Sequence, residues 1–284
     1  MPTPPTHLAQ VQLPPPPTED MVIDATEEEV ASFHERGYLA IDRITTDAEL
    51  DWARNVYDLL FKRRAGVFAG GYFDLNRPYD AAGEDLNPQL LMPELRFPVL
   101  RTTVYARNAR RISAALLGLD PATLHSWGHM IRKPAHIGGA TPWHQDEAYW
   151  EAGQHYQAIG AWMPLDPATV DSGCLHFIPG SHIGPVLAHR HIGDDPSVHG
   201  LCTDEADTSR AVAVPLHPGG ATFHHPRTLH HAGPNVADHP RRAWAVEHQL
   251  PPEVIEGGAE KPWVEEGRQA WDDRPVVREA LGRT

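Results

Sequence analysis

The chain has 284 residues, enough for one large domain or two small ones, and carries a formal net charge of −14 at pH 7 with a pI near 5.7. That charge opposes nucleic acid and anionic membrane surfaces, and no long run of Lys and Arg makes a local exception. The apolar runs fall far short of the ~20 residues of a membrane span, and the N-terminus lacks the charged-then-apolar layout of a signal peptide. Two cysteines, Cys174 and Cys202, without CxxC spacing, give neither a zinc site nor a disulfide framework. These features lead us to expect a soluble cytoplasmic protein, monomer or homodimer, whose partner is a small molecule rather than a nucleic acid or a membrane.

Taken in order, residues 1–20 hold Pro2, Pro4, Pro5 and Pro14 to Pro17, so a disordered Pro-rich arm is expected there. Residues 21–284 read as a single domain. Thr26-x-x-Glu29 is a capping box that opens a short helix closed by Gly37, and Tyr38 to Ile41 follow as a strand. Thr46-x-x-Glu49 repeats the device for a longer helix with Leu50, Ala53, Val56 or Tyr57, and Leu60 at helical spacing, ending near Gly66. From Val67 to Pro98 Gly and Pro interrupt any period, which predicts a long functional loop. A third helix covers about Tyr105 to Leu117, completing helical support over about 26–118.

Beyond Pro121 the chain turns to short β-prone runs. Strands are expected near Leu124 to Arg132, Trp143 to His144, Gln157 to Met163, Cys174 to Ile178, Ala211 to Val214, Ala221 to His224, Thr228 to His231 and Arg241 to Gln249. These fill a β-core over about 121–250, with a long loop from Ile183 to Arg210 and a C-terminal extension over 251–284. Eight short strands predict a mainly β fold, a jelly roll with supporting N-terminal α-helices.

The stretch Thr141 to Trp150 holds His144 and Asp146, and side chains two apart on extended backbone share a face. An imidazole beside a carboxylate is a mixed N/O metal site. A second His would complete the two-His, one-carboxylate set that leaves one side of Fe(II) open. With 19 His in the chain, one His-x-Asp says little alone. The segment Gly219 to Asn235 offers His224, His225, His230 and His231 for the third position on equal terms.

Pro240 to His248 alternates in period two, sending Arg241, Ala243 and Ala245 to one face and Arg242, Trp244 and Val246 to the other. Small residues beside Arg241 suit an arginine that reaches into a cavity for an anion, since an unpaired buried charge is heavily penalised. His182 reads as part of a turn and His176 as a packed or solvated strand residue rather than a catalytic one. Tyr72, Phe73, Tyr149 and Trp150 are candidates for the substrate mouth, with plain core packing as the alternative.

Trp143-His-Gln-Asp146, Gly173-Cys-Leu-His-Phe-Ile-Pro-Gly-Ser-His182 and Leu229-His-His-Ala-Gly-Pro-Asn235 followed by Arg241 together resemble the phytanoyl-CoA dioxygenase family of Fe(II)/2-oxoglutarate oxygenases. The match runs in order from about residue 26 to 250. The resemblance implies a double-stranded β-helix with His144, Asp146 and His230 on Fe(II), and 2-oxoglutarate paired with Arg241 and near Gln145 and Trp162. It further implies O2 as the last reactant, succinate and CO2 as products, and hydroxylation of an unactivated C–H in a small organic molecule. Ala232 departs from the pattern, because many members carry a hydroxyl there to help hold 2-oxoglutarate.

Alternatives with the same iron centre are desaturation, cyclisation or epimerisation; halogenation is disfavoured by the retained carboxylate of Asp146. Rivals of another kind are a cupin-type metalloenzyme without 2-oxoglutarate and a non-catalytic jelly-roll binding protein. The acidic chain has no basic cluster for CoA phosphates, which favours a smaller natural-product or amino-acid-like substrate.

Overall fold

The computed structural model describes residues 11–64, 70–257 and 260–282. Its first part runs α1 (Glu27–Arg36), β1 (Tyr38–Ile41), α2 (Asp47–Lys62), β2 (Tyr72–Asp74), β3 (Pro88–Leu91), the single turn α3 (Pro93–Arg96) and α4 (Val104–Leu117). The β-rich part runs β4 (His125–Lys133), β5 (Thr141–His144), β6 (Gln154–His155), β7 (Ala158–Pro164), β8 (Leu175–Phe177), β9 (Arg190–His191) and β10 (Leu201–Cys202). It continues with β11 (Val212–Val214), β12 (Ala221–His224), β13 (His230–Ala232), β14 (Arg241–Gln249) and β15 (Glu253–Val254), before α5 (Pro262–Asp272) and α6 (Pro275–Ala280).

The local signals explain the helices. Thr26 Oγ1 accepts from the Glu29 N–H while the Glu29 carboxylate accepts from the Thr26 N–H, and Gly37 ends α1 with φ 80°, a left-handed value that Gly adopts without a Cβ penalty. The second box is only half closed. Thr46 caps α2, but Glu49 turns away to accept from the Val104 and Tyr105 N–H groups at 2.6 and 2.8 Å, so its charge sits at the N-terminus of α4 instead.

A seven-stranded sheet in the order β1-β12-β7-β14-β4-β3-β2 faces a four-stranded sheet in the order β11-β8-β13-β5, with every pairing antiparallel. This is the jelly roll, mainly β with helices at the front. The larger sheet uses its two faces differently. On the outer one Met130, Ile159, Phe223 and Trp244 pack against Leu50, Tyr57 and Leu60 of α2 and Tyr105 and Ile112 of α4. Each such side chain contributes about 1.5–3 kcal/mol of burial, and Tyr105 ties the layers by donating its OH to the Trp244 carbonyl at 2.9 Å. The inner face closes on the smaller sheet, where Tyr38 stacks on Phe177 with centroids 4.6 Å apart.

All eight expected strands are present, each within a few residues of its expected bounds. Four other expectations need correction or sharpening. Helix α2 stops at Lys62, and Gly66, its expected end, lies outside the described residues. The stretch expected as one long loop from Val67 contains β2 and β3, which extend the large sheet at its edge. Strands of three or four residues are too short to display a period.

Of the Pro-rich arm, residues 1–10 lie outside the described residues. Residues 11–20 have no helix or strand but dock on the body, with Val11 and Leu13 against the core and the Pro14 carbonyl accepting from Trp52 Nε1 at 3.0 Å. Prolines forbid regular hydrogen bonding, not packing. The Ile183 to Arg210 loop includes the small β9-β10 ribbon, and α5 and α6 in the C-terminal extension had no sequence expectation. No helix among the described residues is long and apolar enough to cross a membrane.

Candidate active site

Strand β13 lies between β8 and β5, and its register sets His230 directly opposite His144. Gln145 remains extended (φ −123°, ψ 133°), so Asp146, the first residue of a 3-10 turn, projects to the same side as His144. The result is one cluster: a ligand atom from each of His144, Asp146 and His230 lies within 4.8 Å of the others. Asp146 Oδ1 is 3.6 Å from Nε2 of both histidines.

The surroundings fix which atoms face inward. The Nδ1 atoms of His144 and His230 lie 2.8 and 2.9 Å from the carbonyls of Pro142 and Thr228, so Nδ1 carries the proton and donates, and the Nε2 lone pair is left for a metal. His224 Nε2, from β12, donates to Asp146 Oδ2 at 2.9 Å, which holds the outer carboxylate oxygen and turns Oδ1 toward the histidines.

Burial, aided by the neighbouring His144, holds His230 well below the usual imidazole range, which keeps it in its neutral, ligating form. Burial opposes charge on Asp146, yet its carboxyl is held well below its ordinary value, with the His224 N–H donating to Oδ2. Two imidazole nitrogens and a carboxylate, brought together from the 141–149 stretch and β13, suit a divalent first-row ion such as Fe(II).

These groups open into a cavity of about 320 Å3 between the sheets, with apolar walls from Leu75, Leu91, Met92, Ile131 and Leu175. At its floor lies Arg241, 1% exposed, its guanidinium 5.2 Å from the Trp162 ring. Arg241 Nε and Nη1 are buried and have no hydrogen-bond partner among the described residues. Burial pushes its pKa down to about 10, still far above neutrality, so the group is a charged donor awaiting an anion. A dicarboxylate fits this donor set, one end near the triad and the other on Arg241. Ala232 also lines the cavity and provides no hydroxyl.

The remaining expected residues divide. Trp162, Tyr149 and Trp150 line the cavity. Gln145 does not: its amide donates to the Pro185 and Arg227 carbonyls at 3.1 and 2.8 Å, and its oxygen accepts from the Leu187 N–H at 2.8 Å. It faces away because its neighbours His144 and Asp146 face in, a parity the sequence already carried. Tyr72 and Phe73 are also outside the lining. Tyr72 donates its OH to Asp85 at 2.9 Å, and Phe73 is buried among Tyr79, His199 and Trp271. His231 points away from the triad and packs between Trp143 and His176.

Sequence reasoning missed Gln89, Trp127, His129, His199 and Glu247, all in the cavity wall. Glu247 carries the same inward parity as Arg241 and was legible by that rule.

A jelly roll with two histidines, a carboxylate and a buried arginine lining one cavity defines the class of Fe(II)/2-oxoglutarate-dependent oxygenases. The chain belongs to the phytanoyl-CoA dioxygenase (PhyH) family, whose sequence model matches residues 33–243. It is 37% identical to EvdO2 of Micromonospora carbonacea var. aurantiaca, a structure solved with 2-oxoglutarate, at a TM-score of 0.75 over 86% of this chain and 99% of that one. A phytanoyl-CoA dioxygenase domain-containing protein 1 from Bos taurus is 27% identical over 151 residues, 52% of this chain and 51% of that protein. A probable alpha-ketoglutarate-dependent hypophosphite dioxygenase of Stutzerimonas stutzeri is 29% identical over 155 residues, 53% of this chain and 52% of that protein. The chain thus spans about half the length of the curated relatives it matches.

Proposed function

We propose that this chain is an Fe(II)/2-oxoglutarate-dependent dioxygenase that hydroxylates an unactivated C–H of a small organic molecule. His144, Asp146 and His230 hold the metal, Arg241 anchors the far carboxylate of 2-oxoglutarate, and Trp162 forms the wall beside that arginine. Iron(II), with 2-oxoglutarate and O2, supplies the chemistry: oxidative decarboxylation to succinate and CO2, coupled to hydrogen removal from the substrate. The protein's part is positional. His224 orients Asp146, the Pro142 and Thr228 carbonyls orient the two imidazoles, and the apolar walls exclude water around the substrate carbon.

The observation that carries this reading is the buried, unpaired guanidinium of Arg241 in the same cavity as the triad. A metalloenzyme without an acidic cosubstrate has no use for it. Among the described residues Arg241 is also the only Lys or Arg in the cavity wall, and it is buried. That favours a substrate without phosphates, since no second cation among the described residues lines the cavity to receive them.

The test is an anaerobic titration of the Fe(II)-loaded protein with 2-oxoglutarate, followed by succinate measurement after O2 is admitted. Saturable 2-oxoglutarate binding and O2-dependent succinate formation are expected. Failure of the wild-type protein to bind 2-oxoglutarate would overturn the reading.

A further inference from the structure

The inner face of the large sheet carries a row of cross-strand neighbours: Trp127 on β4, Glu247 on β14, Gly160 on β7 and His224 on β12. Three of the four are large. A Cβ on Gly160 would lie 2.8 Å from His224 Nε2 and 3.2 Å from Glu247 Oε2, so these two side chains already reach over the glycine and need its bare Cα. His224 in turn donates to Asp146.

Glu247 is 7% exposed, and its Oε1 is buried without a hydrogen-bond partner among the described residues. Among the described residues no Lys or Arg in the cavity wall reaches it, since Arg241 lies six residues away along β14. A buried carboxyl left unpaired is destabilising, so a group in this state is best understood as one that is paired when the site is filled. None of the roles proposed above uses it: it is neither in the triad nor on the arginine floor.

The geometry points to Glu247 as the residue that positions the substrate, accepting a hydrogen bond from an O–H or N–H donor in the cavity beside the Trp127 indole. The inference rests on the proposed function and adds to it the chemistry of the substrate. The molecule pairs an apolar body, matched to Leu91, Met92 and Ile131, with a hydroxyl or protonated amine held in the same cavity as the triad. That contact fixes which carbon faces the metal, so Glu247 governs position and selectivity rather than bond-breaking.

The test uses the full-length protein loaded with Zn(II) and 2-oxoglutarate, so that no turnover occurs. Binding of three probes on one skeleton, benzyl alcohol, benzylamine and toluene, is followed by ligand-observed NMR in the wild type, Glu247→Gln and Glu247→Leu. The wild type is expected to prefer at least one donor probe over toluene by roughly tenfold, the worth of one hydrogen bond to a carboxyl. Glu247→Leu reverses the order. Glu247→Gln keeps the alcohol and loses the amine, which separates a hydroxyl-bearing substrate from a cationic one.

Metal and 2-oxoglutarate affinities, measured in the same samples, stay at wild-type values in both variants. No preference for either donor probe in the wild type, or a preference that survives in Glu247→Leu, overturns the assignment. Loss of 2-oxoglutarate binding in the wild type would instead count against the oxygenase reading itself.

Discussion

His144 and His230 are register partners on the antiparallel strands β5 and β13, their ring centroids 4.2 Å apart. Neighbouring strands in a ladder bring opposed side chains this close without any loop rearrangement. Each ring is tied through Nδ1 to a carbonyl two residues earlier on its own segment, so the pair is aimed before any metal arrives. Asp146 then needs only the turn after Gln145 to join them.

Asp146→Ala is expected to abolish turnover and leave a folded protein, because it removes a charged ligand at a half-buried position without opening a core cavity. His224 also loses its carboxylate partner, so a small decrease in stability accompanies the loss. The check is substrate-linked succinate formation beside a thermal unfolding curve. Wild-type turnover in the variant would sink the triad assignment.

His230→Ala should lower Fe(II) affinity by orders of magnitude and His231→Ala should not. The two face opposite ways from one strand, and the His231 ring is occupied by packing against Trp143 and His176. Equal losses for both in a metal titration would mean that the register is wrong.

Gln145→Ala separates a structural role from a cosubstrate role. Its side chain makes three hydrogen bonds to backbone, at Pro185, Leu187 and Arg227, which pin the start of the 183–210 loop to the segment before β13. Losing them is expected to cost on the order of 2–4 kcal/mol, read as a lower denaturant midpoint, while 2-oxoglutarate affinity is unchanged. A selective loss of 2-oxoglutarate binding with wild-type stability would restore the cosubstrate role.

What could be read from the sequence follows from how far each signal reaches along the chain. The β-core strands and three main helices are local patterns, and all of them were legible. Arg241 was legible through parity, and the same rule applied to Gln145 and Glu247 would have turned one outward and the other inward. The fate of Glu49 was not, because its partners at Val104 and Tyr105 are brought to it only by folding. Among His224, His225, His230 and His231 spacing alone could not choose. The choice depends on which strand lies beside β5, a property of sheet order.

Acid should unfold this protein early. Burial pushes His199, His225 and His248 down to about 3, so their folded-state pKa values lie below the ~6.5 of an unfolded histidine. Between those limits the unfolded chain binds protons that the folded one refuses. Stability from these groups is therefore complete above about pH 6.5 and is lost as pH falls, at about 1.4 kcal/mol per pH unit for each residue at full slope. Urea midpoints should drop steeply below about pH 6 at constant m-value. A flat profile down to about pH 4.5 would show that these imidazoles are protonated in the folded state.

Arg241 and Arg242 are adjacent in the chain and opposite in circumstance, which makes the pair the sharpest test of the cosubstrate. Arg242 is fully engaged, donating to Asp166 at 2.9 and 2.7 Å and to Asp58 at 2.9 Å, whereas Arg241 Nε and Nη1 are buried and unpaired among the described residues. If Arg241 anchors 2-oxoglutarate as proposed, Arg241→Met removes a charge-assisted contact worth on the order of 2 to 5 kcal/mol in a sheltered site, counting the anion left unpaired. Affinity for 2-oxoglutarate should then fall by roughly 30-fold to several thousand-fold, with Fe(II) affinity nearly unchanged.

Without 2-oxoglutarate the sign reverses. The wild type holds a desolvated, unpaired cation that Met does not have, so the variant should be the more stable of the two, by on the order of 1–4 kcal/mol. Added 2-oxoglutarate should raise the unfolding temperature of the wild type and leave that of the variant unmoved. Arg242→Met should do the opposite on both counts, keeping 2-oxoglutarate affinity and losing stability, because it strands Asp166. A wild type more stable than Arg241→Met in the absence of 2-oxoglutarate would mean that Arg241 already has its partner within the chain, and the anchoring role would pass to another residue.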